Sequence, residues 1–374
     1  MEGGINGGIN SGIKLVTFGE IMGRIEPEGF KKFRQALPGK LGFTFAGSEA
    51  NVAVSFSLMG GTARFVTALP ANSIGDACVG TLRNYGVDTS YIVRSEKGSF
   101  GFYFVETGAN QRPSTVLYDR EGTAISMTGP GEYDWDSIFK DAAWFHISGI
   151  TPAVSKPASE ASLDAVKTAK EQGLTVSCDL NFRKKLWKWE PGTEGKELAR
   201  RVMGELLESV DVVIGNEEDA SDVLDIQAGS TDVEKGFLEV ERYPEVAKQI
   251  ISRFPQVKIV ATTLRESISA THNNWGGMLY DAKTGKSYFA PVIDGEYKPY
   301  RITSIVDRVG GGDAFSAGLV FALMDENLKA PGDALAYAVA AGCLCQSIEG
   351  DFNISSREEV EALMKGSVSG RVKR

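Results

Sequence analysis

The most informative stretch of the 374-residue sequence is Asp307-Arg-Val-Gly-Gly-Gly-Asp-Ala-Phe-Ser-Ala-Gly318. Three consecutive glycines, Gly310 to Gly312, let the backbone approach a ligand because no Cβ atoms stand in the way. The periodic segment that follows places them at a helix N-terminus, where free N–H groups and the helix dipole favour a phosphate or an oxyanion. Asp313, in the first turn, either caps those N–H groups or faces the same ligand. The spacing matches neither a P-loop nor a dinucleotide-binding fingerprint.

On the N-terminal side of this stretch, short β-branched or aromatic runs alternate with longer amphipathic segments. Such alternation is typical of βαβ units, which pack as a mostly parallel sheet between layers of helices. The predicted strands are 14–18, 64–68, 144–148, 175–180, 211–214 and 258–262. The predicted helices are 48–59, 75–85, 159–172, 197–207, 241–253, 313–324 and 333–347. We therefore predict an α/β protein with a three-layer α/β/α sandwich.

Two stretches, 24–45 and 100–126, interrupt the alternation with polar-rich, period-two patterning. Such strands do not suit a parallel sheet that is buried on both faces, so we predict a small antiparallel β lid beside it. Residues 275–306 are predicted to form an antiparallel meander. Without a long linker, residues 13–374 are expected to form one domain, and the repetitive residues 1–12 a disordered or tag-like N-terminus. Because lid strands have free edges, we also expect a homodimer that pairs through the lid.

Composition excludes several classes of function. Lys and Arg total 40 against 49 Asp and Glu, a net charge of −9, which disfavours binding to nucleic acid or to an anionic membrane. No apolar run approaches the roughly 18 residues of a membrane-spanning helix. The two histidines exclude a multi-histidine metal site, and the four cysteines are interpreted as small core residues. The first residues lack the features of a signal peptide, so we expect a cytoplasmic protein.

Several motifs occur in the order found in one enzyme family. Residues 307–318 resemble the C-terminal signature of the ribokinase-like (PfkB) carbohydrate kinases, usually D-T-V-G-A-G-D-x-F. Residues 19–20, 46–54 and 69–76 are similar to the N-terminal features of that family. The resemblance implies a ribokinase-like fold and an ATP-dependent sugar kinase that uses Mg²⁺. Two residues depart from the signature: Arg308 replaces a small or hydroxylated residue, and Gly311 replaces alanine.

Within the family, residues 107–120, 146–152 and 179–187 resemble most the 2-keto-3-deoxygluconate kinases, which phosphorylate the 6-hydroxyl of a sugar acid. The charge of such a substrate favours the same class. The carboxylate of a sugar acid is best bound by a planar, permanently charged guanidinium. Arg120, at the end of a predicted lid strand, and Arg183, just beyond the strand 175–180, are placed to supply it.

The resemblance implies roles for individual residues. Asp313 becomes the general base, and the N–H groups of Gly310, Gly311 and Gly312 form an anion hole. The implied substrate-binding residues are Gly47, Asn51, Tyr103, Tyr118, Arg120, Ile150, Arg183 and Asp351. The implied nucleotide-binding residues are Asn216, Thr262, Thr263 and Arg265. Asn216 and Asp219 are implied in water-mediated binding of Mg²⁺, although Asp219 is one methylene shorter than the glutamate usual there.

Structural interpretations of the same residues stay open at this point. Tyr103 and Tyr118 fit ordinary half-buried strand positions, Arg183 fits a solvated charge run, and Asn51 and Asn216 fit helix caps. Two rival functions also stay open. One is another PfkB sugar kinase, such as a fructokinase or a ribokinase, and the other is a non-catalytic sugar- or nucleotide-binding homologue. A nicotinamide oxidoreductase is disfavoured because no glycine fingerprint follows the strand 14–18.

Overall fold

A nine-stranded sheet forms the middle layer of the molecule. The computed structural model describes residues 14–216, 218–226 and 240–366. The strands are β1 (Leu15–Phe18), β2 (Met22–Glu26), β3 (Gly42–Ala46), β4 (Ala63–Val66), β5 (Ala68–Pro70), β6 (Val93–Ser95), β7 (Gly101–Glu106), β8 (Thr115–Asp119), β9 (Trp144–Ser148), β10 (Thr175–Asp179), β11 (Val212–Gly215), β12 (Ile259–Ser269), β13 (His272–Asp281), β14 (Lys286–Ala290), β15 (Val292–Ile293), β16 (Glu296–Tyr297) and β17 (Tyr300–Ile302). The α-helices are α1 (Phe33–Ala36), α2 (Ser48–Leu58), α3 (Ser73–Asn84), α4 (Ala124–Met127), α5 (Trp135–Phe139), α6 (Thr151–Val154), α7 (Lys156–Glu171), α8 (Gly195–Leu207), α9 (Asp219–Leu224), α10 (Tyr243–Arg253), α11 (Gly311–Met324), α12 (Pro331–Cys345) and α13 (Arg357–Met364).

The central sheet is parallel over most of its width. Its strand order is β14-β13-β12-β11-β10-β9-β1-β4, with β17 also paired to β13. The pairings from β4 to β12 are parallel, whereas β13 pairs antiparallel with β12, β14 and β17. Apolar runs such as Leu15–Phe18 are buried along their whole length, as expected for strands that are covered on both faces. The predicted mostly parallel sheet is confirmed.

Helices cover both faces of this sheet, and alternate strand residues point to the two layers. In β1, Val16 and Phe18 pack in one apolar cluster and Leu15 packs in the other. The first cluster includes buried residues of α7, α8, α9 and α10, and the second includes those of α2, α3, α11, α12 and α13. The predicted three-layer α/β/α sandwich is therefore confirmed.

A second, four-stranded sheet lies beside the sandwich, in the order β3-β2-β7-β8. Its two outer pairings are antiparallel, and the central pairing of β2 with β7 is parallel. Met22, Ala46, Tyr103 and Val105 form a small apolar cluster of their own in this layer. The sheet is built from the two stretches predicted to form a lid; that it opens and closes stays a prediction.

The predicted helices all occur, with ends within three residues of the expected positions. Sequence reasoning missed shorter helices, including α13. The signal for α13 is a capping box, because Ser356 and Glu359 exchange side-chain to backbone hydrogen bonds at its start. Strand β12 continues seven residues past its predicted end, because it forms a long hairpin with β13.

Residues 1–12, predicted to be a disordered or tag-like segment, lie outside the described residues. Among the helices of residues 14–216, 218–226 and 240–366, none combines the length and the apolar character that crossing a membrane requires.

Candidate active site

A cleft of about 370 Å³ lies where the small sheet faces the carboxyl ends of the central strands. Ile150, Asp179 and Gly215 line it from the ends of β9, β10 and β11, and Tyr103 and Tyr118 line it from the small sheet. The first turns of α2 and α11 and the β12–β13 hairpin also line it. In open α/β sheets, ligands bind at this edge.

The carboxylate of Asp313 faces this cleft. Its Oδ1 accepts a hydrogen bond from Ser48 Oγ at 2.7 Å, and its Oδ2 accepts one from Asn51 Nδ2 at 2.7 Å. Asp313 does not cap its own helix, since α11 has no side-chain cap hydrogen bond. Of the two orientations left open by the sequence, the structure has the one toward the cleft.

The surroundings of Asp313 make it a moderately strong base. Burial raises its pKa to about 6, and the hydrogen bonds from Ser48 and Asn51 offset part of that increase. The negative charge of Asp351 raises the pKa further, whereas the positive charge of Arg183 lowers it. A carboxylate with a pKa near 6 is largely ionised at neutral pH and still accepts a proton readily, as a general base must.

The three glycines beside Asp313 differ in how much room the structure leaves for a side chain. Gly310 precedes α11 with φ +82°, and a Cβ atom there would lie 2.2 Å from the carbonyl oxygen of Asp351. At Gly311 a Cβ atom would meet only ordinary contacts, the nearest at 3.7 Å, so the alanine usual in the family would fit. At Gly312 nothing lies within 4 Å of a Cβ position. The uncapped N–H groups of this first turn are thus available to an anion in the cleft.

Asn216 and Asp219 are fixed by the backbone at the start of α9. Asp219 Oδ1 accepts the N–H of Phe182 at 3.0 Å, and Oδ2 accepts the N–H of Asn216 at 3.0 Å. Asn216 Oδ1 in turn accepts the N–H groups of Glu218 and Asp219 at 2.8 and 3.1 Å. The side chain of Asn216 is thus held by the backbone at the start of α9, and both residues line the cleft.

Asp179 adds a third carboxylate at the floor of the cleft. It is 8% exposed, and burial together with the charges of Asp219 and Asp313 raises its pKa well above the ordinary value. Just beyond it, Asn181 Nδ2 donates to Ser48 Oγ at 3.3 Å, so the loop after β10 is connected to the hydrogen bonds around Asp313. The floor is strongly acidic, which suits a cation or a hydroxyl group.

The oxygen donors at this floor fit Mg²⁺ only through water. Within the described ranges, no group of three or more His, Cys, Asp or Glu side chains is arranged to hold a metal ion. Asp179 and Asp219 nevertheless offer carboxylate oxygens to the cleft, and Mg²⁺ prefers oxygen and keeps several waters. The residues present therefore fit an ion held by water and by a ligand's phosphates.

Two tyrosines of the small sheet face the cleft as a cross-strand pair. Tyr103 in β7 lies opposite Tyr118 in β8, with 6.0 Å between their ring centroids. Tyr103 is buried, whereas Tyr118 is 39% exposed. Both line the cleft, so an aromatic wall stands over its floor.

Arg120 lines the cleft but already has a partner. Its guanidinium forms an ion pair with Glu20, which is 3% exposed and also accepts a hydrogen bond from Thr123 Oγ1 at 2.8 Å. The guanidinium also lies 5.6 Å from the centroid of the Tyr118 ring. The side chain is therefore held in place, and Glu20 neutralises part of its charge.

Arg183 is the freer of the two predicted arginines. It is exposed, lines the cleft and donates a hydrogen bond to the carbonyl oxygen of Phe182 at 3.1 Å. In the part of the chain that the structure describes, it forms no ion pair, although its charge lowers the pKa values of Asp179, Asp219 and Asp313. It is thus available to an anionic ligand.

Asp351 lines the cleft but is committed to a buried charge network. Arg24, which is 0% exposed, donates to Asp351 Oδ1 at 2.6 Å, to Asp307 Oδ2 at 2.5 Å and to Glu26 Oε2 at 2.6 Å. Asp307 also accepts the N–H of Val309 at 3.1 Å. This network connects strand β2 of the small sheet to the loop that carries the glycines.

One predicted nucleotide-binding residue does not reach the cleft. Strand residues alternate between faces, and Thr262 shares the face of Val260 and Leu264, which pack in the apolar layer under the helices. Thr263 and Arg265 share the other face and line the cleft. Thr262 therefore lies outside the cleft lining, and its role in nucleotide binding stays a prediction. The remaining predicted residues all line the cleft: Gly47, Asn51, Tyr103, Tyr118, Arg120, Ile150, Arg183, Asn216, Asp219, Thr263, Arg265, Gly310, Gly311, Gly312, Asp313 and Asp351.

Sequence reasoning missed several polar residues of the cleft, chiefly Ser48, Glu49 and Glu20. Glu49 is 1% exposed, and its Oε1 accepts hydrogen bonds from Ser148 and Thr151 at 2.7 and 2.8 Å. Burial raises its pKa to about 7. The available signal was an acid, Glu49, directly before the mostly apolar segment 50–54, because acids are rarely buried without a partner.

The sequence of the chain is similar to those of known carbohydrate kinases. A sequence model described as pfkB family carbohydrate kinase matches residues 13–264, more than half of the chain. A 2-dehydro-3-deoxygalactonokinase of Haloferax volcanii is 32% identical over 358 residues, which cover 96% of this chain and 98% of that protein. A probable fructokinase-3 of Arabidopsis thaliana is 26% identical over 341 residues, which cover 90% and 86%.

The fold also matches a solved structure of related sequence. The crystal structure of 2-dehydro-3-deoxygluconokinase from Thermotoga maritima superposes with a TM-score of 0.84 and 42% identity, over 95% of this chain and 100% of that one. The alignments to the relative from Haloferax volcanii and to this structure cover 96% and 95% of the chain, whereas the family model ends at residue 264, before the glycine loop.

Proposed function

The chain belongs to the PfkB family of carbohydrate kinases, and from this premise we propose that it transfers the γ-phosphoryl group of ATP to the 6-hydroxyl of 2-keto-3-deoxygluconate. One observation carries the proposal: a carboxylate held by two hydrogen bonds, Asp313, faces the cleft beside an uncapped, glycine-lined helix N-terminus. A base and an anion hole at one point are what phosphoryl transfer to an alcohol needs.

In the proposed reaction, Asp313 takes the proton of the 6-hydroxyl as its oxygen attacks the γ-phosphorus. The bond between the γ-phosphorus and the bridging oxygen of the β-phosphate breaks, and ADP leaves. The N–H groups at Gly310 to Gly312 stabilise the negative charge on the transferring group. Mg²⁺ bound to the phosphates would neutralise part of their charge, with Asn216 and Asp219 orienting its waters.

The sugar acid is proposed to lie under the tyrosine pair with its carboxylate at Arg183. That guanidinium forms no ion pair in residues 14–216, 218–226 or 240–366, whereas Arg120 is already paired with Glu20. Arg120 therefore offers the carboxylate a guanidinium of fixed orientation and reduced charge, and Arg183 contributes most of the electrostatic attraction to the carboxylate. Gly47, Asn51, Ile150 and Asp351 are proposed to contact the sugar.

The role of Asp313 is tested by Asp313→Asn, for which kcat should fall by about 10²–10⁴, the usual range for a general base, with the KM for the sugar acid nearly unchanged. The matched control is Asp333→Asn, because Asp333 is also the third residue of its helix but is exposed and lies outside the cleft. A coupled ADP-release assay measures both. Near-normal turnover of Asp313→Asn would remove Asp313 from the proposed role.

Substrate class is tested by Arg183→Ala. Removing the partner of a bound carboxylate should raise the KM for the sugar acid by about 10- to 100-fold and change the KM for ATP little. Lys184→Ala is the control, since Lys184 is an exposed neighbour outside the cleft. If a neutral sugar such as fructose is phosphorylated better than the sugar acid by the unaltered protein, a fructokinase is the correct assignment.

The stereoisomer 2-keto-3-deoxygalactonate is a second candidate substrate, because the relative from Haloferax volcanii carries that activity in its name. Tyr103 and Tyr118 contact a sugar through ring faces, which distinguish epimers weakly. Parallel kcat/KM measurements with both acids decide between them.

We also propose that two copies pair through the small sheet. Its edge strands carry Phe43 and Leu117, which are 47% and 67% exposed. Edge strands with exposed apolar residues favour pairing with a second chain. Light scattering should give a dimer mass that Leu117→Lys reduces and that Ile354→Lys, at an exposed position outside the small sheet, leaves unchanged.

A further inference from the structure

Arg308, directly before Val309 and the glycine loop, is a charged residue where the family signature usually has a small or hydroxylated one. Its guanidinium lines the cleft and donates to Ser267 Oγ at 2.9 Å, Asn273 Oδ1 at 2.7 Å and the carbonyl oxygen of Ser269 at 3.3 Å. All three acceptors are neutral. The hydrogen bonds fix the direction of the guanidinium and leave its charge uncompensated.

The position of Arg308 is set before any ligand arrives. Asn273, which is 1% exposed, donates to Gln346 Oε1 at 3.0 Å. Gln346 is itself buried at the end of α12, and its carbonyl oxygen accepts the N–H of Val306 at 2.9 Å. The hairpin, helix α12 and the loop before the glycines therefore all hold the guanidinium.

A second cation, Arg265, lies two residues before Ser267 on the same strand, and both Arg265 and Arg308 line the cleft. Burial and the positive charge of Arg265 lower the pKa of Arg308. In the described part of the chain neither arginine forms an ion pair, and the adjacent Asp307 is bonded to Arg24 instead. Two like charges held together in a partly buried cleft repel each other, and a bound anion relieves that repulsion.

We propose that Arg308, together with Arg265, binds the terminal phosphates of the nucleotide at the entrance to the glycine loop. The inference rests on the proposed function, because it takes ATP as the phosphoryl donor. The three anchors leave the Nε–H and one Nη1–H of Arg308 free, so the guanidinium keeps its charge and two donors for phosphate oxygens. The adjacent helix N-terminus adds N–H donors for the same group.

The location of the residues that accept hydrogen bonds from Arg308 favours the nucleotide, rather than the carboxylate of the sugar, as its ligand. Ser267, Ser269 and Asn273 all belong to the β12–β13 hairpin, which also carries Thr263 and Arg265. The proposed sugar contacts come from other elements: the small sheet, the start of α2, the loops after β9 and β10, and the loop after α12 that carries Asp351.

The experiment measures the binding of ADP alone by calorimetry, without any sugar. Arg308→Gln should weaken ADP by about 10- to 100-fold, the loss expected when one charged partner of a phosphate is removed, and should reduce the salt dependence of binding. Arg301→Gln is the matched control, since Arg301 is an exposed arginine of β17 outside the cleft, and it should bind ADP normally. Arg308→Lys keeps the charge and should recover part of the affinity.

Three results overturn the inference: wild-type affinity for ADP in folded Arg308→Gln, equal losses in Arg308→Gln and Arg308→Lys, or a loss of affinity for the sugar acid with ADP unaffected. Circular dichroism confirms that each variant is folded. The outcome is separable from that of the proposed function. If the protein binds ADP through Arg308 but phosphorylates no sugar acid, only the proposed substrate fails; if it phosphorylates the sugar acid while Arg308→Gln binds ADP normally, only this inference fails.

Discussion

Ser48→Ala should move the pH dependence of catalysis, because Ser48 helps to keep Asp313 ionised. Ser48 Oγ donates to Asp313 Oδ1 at 2.7 Å, and this hydrogen bond favours the carboxylate over the acid. Without it, burial still raises the pKa of Asp313 and only Asn51 opposes that increase directly. The pKa of Asp313 should therefore rise above its present value of about 6.

The size of the shift follows from the energy of one hydrogen bond. A hydrogen bond to a charged group contributes about 1.5–3 kcal/mol, and one pKa unit corresponds to about 1.4 kcal/mol. The pKa should thus rise by about one to two units, to about 7–8. At pH 7 the ionised fraction falls from about 90% to between about 10% and 50%, while at pH 9 it stays above about 90%.

The assay is kcat/KM for the sugar acid between pH 5 and 9.5, which reports ionisations of the free enzyme. The acidic limb should shift upward in Ser48→Ala, and activity should largely recover at high pH. Ser57→Ala is the control, because Ser57 lies on the same helix and its buried hydroxyl has no hydrogen-bond partner. The charges of Asp179 and Asp351 interact with that of Asp313. The pKa read from the acidic limb is therefore an apparent value of the three acids together. A uniform loss at every pH, with the acidic limb unmoved, would show that Ser48 does not set the ionisation of Asp313.

Three further perturbations probe the buried charges. At pH 8, Asp313→Asn should unfold at a temperature equal to or above that of the unaltered protein. Folding raises the pKa of Asp313 from 3.8 to about 6, so the folded protein loses stability as the pH rises through that range, and the substitution removes this loss. A lower melting temperature of the variant in differential scanning fluorimetry would contradict this. Arg24→Gln leaves two buried carboxylates, Asp307 and Asp351, and the partly buried Glu26 without their cation. It should lower the free energy of unfolding in urea by about 3–5 kcal/mol; an unchanged value would show that the acids take up protons instead. Glu49→Gln should flatten the fall in stability between pH 4.5 and about 7, since the folded-state pKa of Glu49 is raised to about 7; an unchanged slope would argue against that shift.

The layers of the fold could be predicted because they follow from local patterns. Runs such as Leu15–Phe18 and Trp144–Ser148 are short, apolar and separated by amphipathic helices, which leaves a parallel sheet between two helical layers as the natural packing. Residue contacts across the chain could not be predicted in this way. The ion pair of Arg24 with Asp351 joins residues 327 positions apart, and no local pattern indicates which acid a buried arginine meets.

In the candidate site too, local sequence patterns locate residues but do not give their contacts. The glycines and Asp313 could be located from their spacing, but the orientation of Asp313 depends on Ser48 and Asn51, more than 260 residues earlier. Thr262 and Thr263 are indistinguishable by residue type, and only the register of β12 decides which one faces the cleft. The family resemblance identified the candidate site residues, but only the packed structure shows which of them already form hydrogen bonds or ion pairs with other residues.

The distribution of charge in the cleft explains why an acidic protein suits anionic ligands. With a net charge of −9 the chain does not attract anions as a whole, so a local cluster of cations has to do so. Arg183 stands on one side of the acidic floor, and Arg265 and Arg308 are held by the hairpin. Under the proposed function, the two anionic ends of the substrates meet these arginines, and the hydroxyl between them meets Asp313. The positive charge of Arg183 also holds the pKa of Asp313 lower than burial alone would set it, so one residue serves both binding and the ionisation of the base.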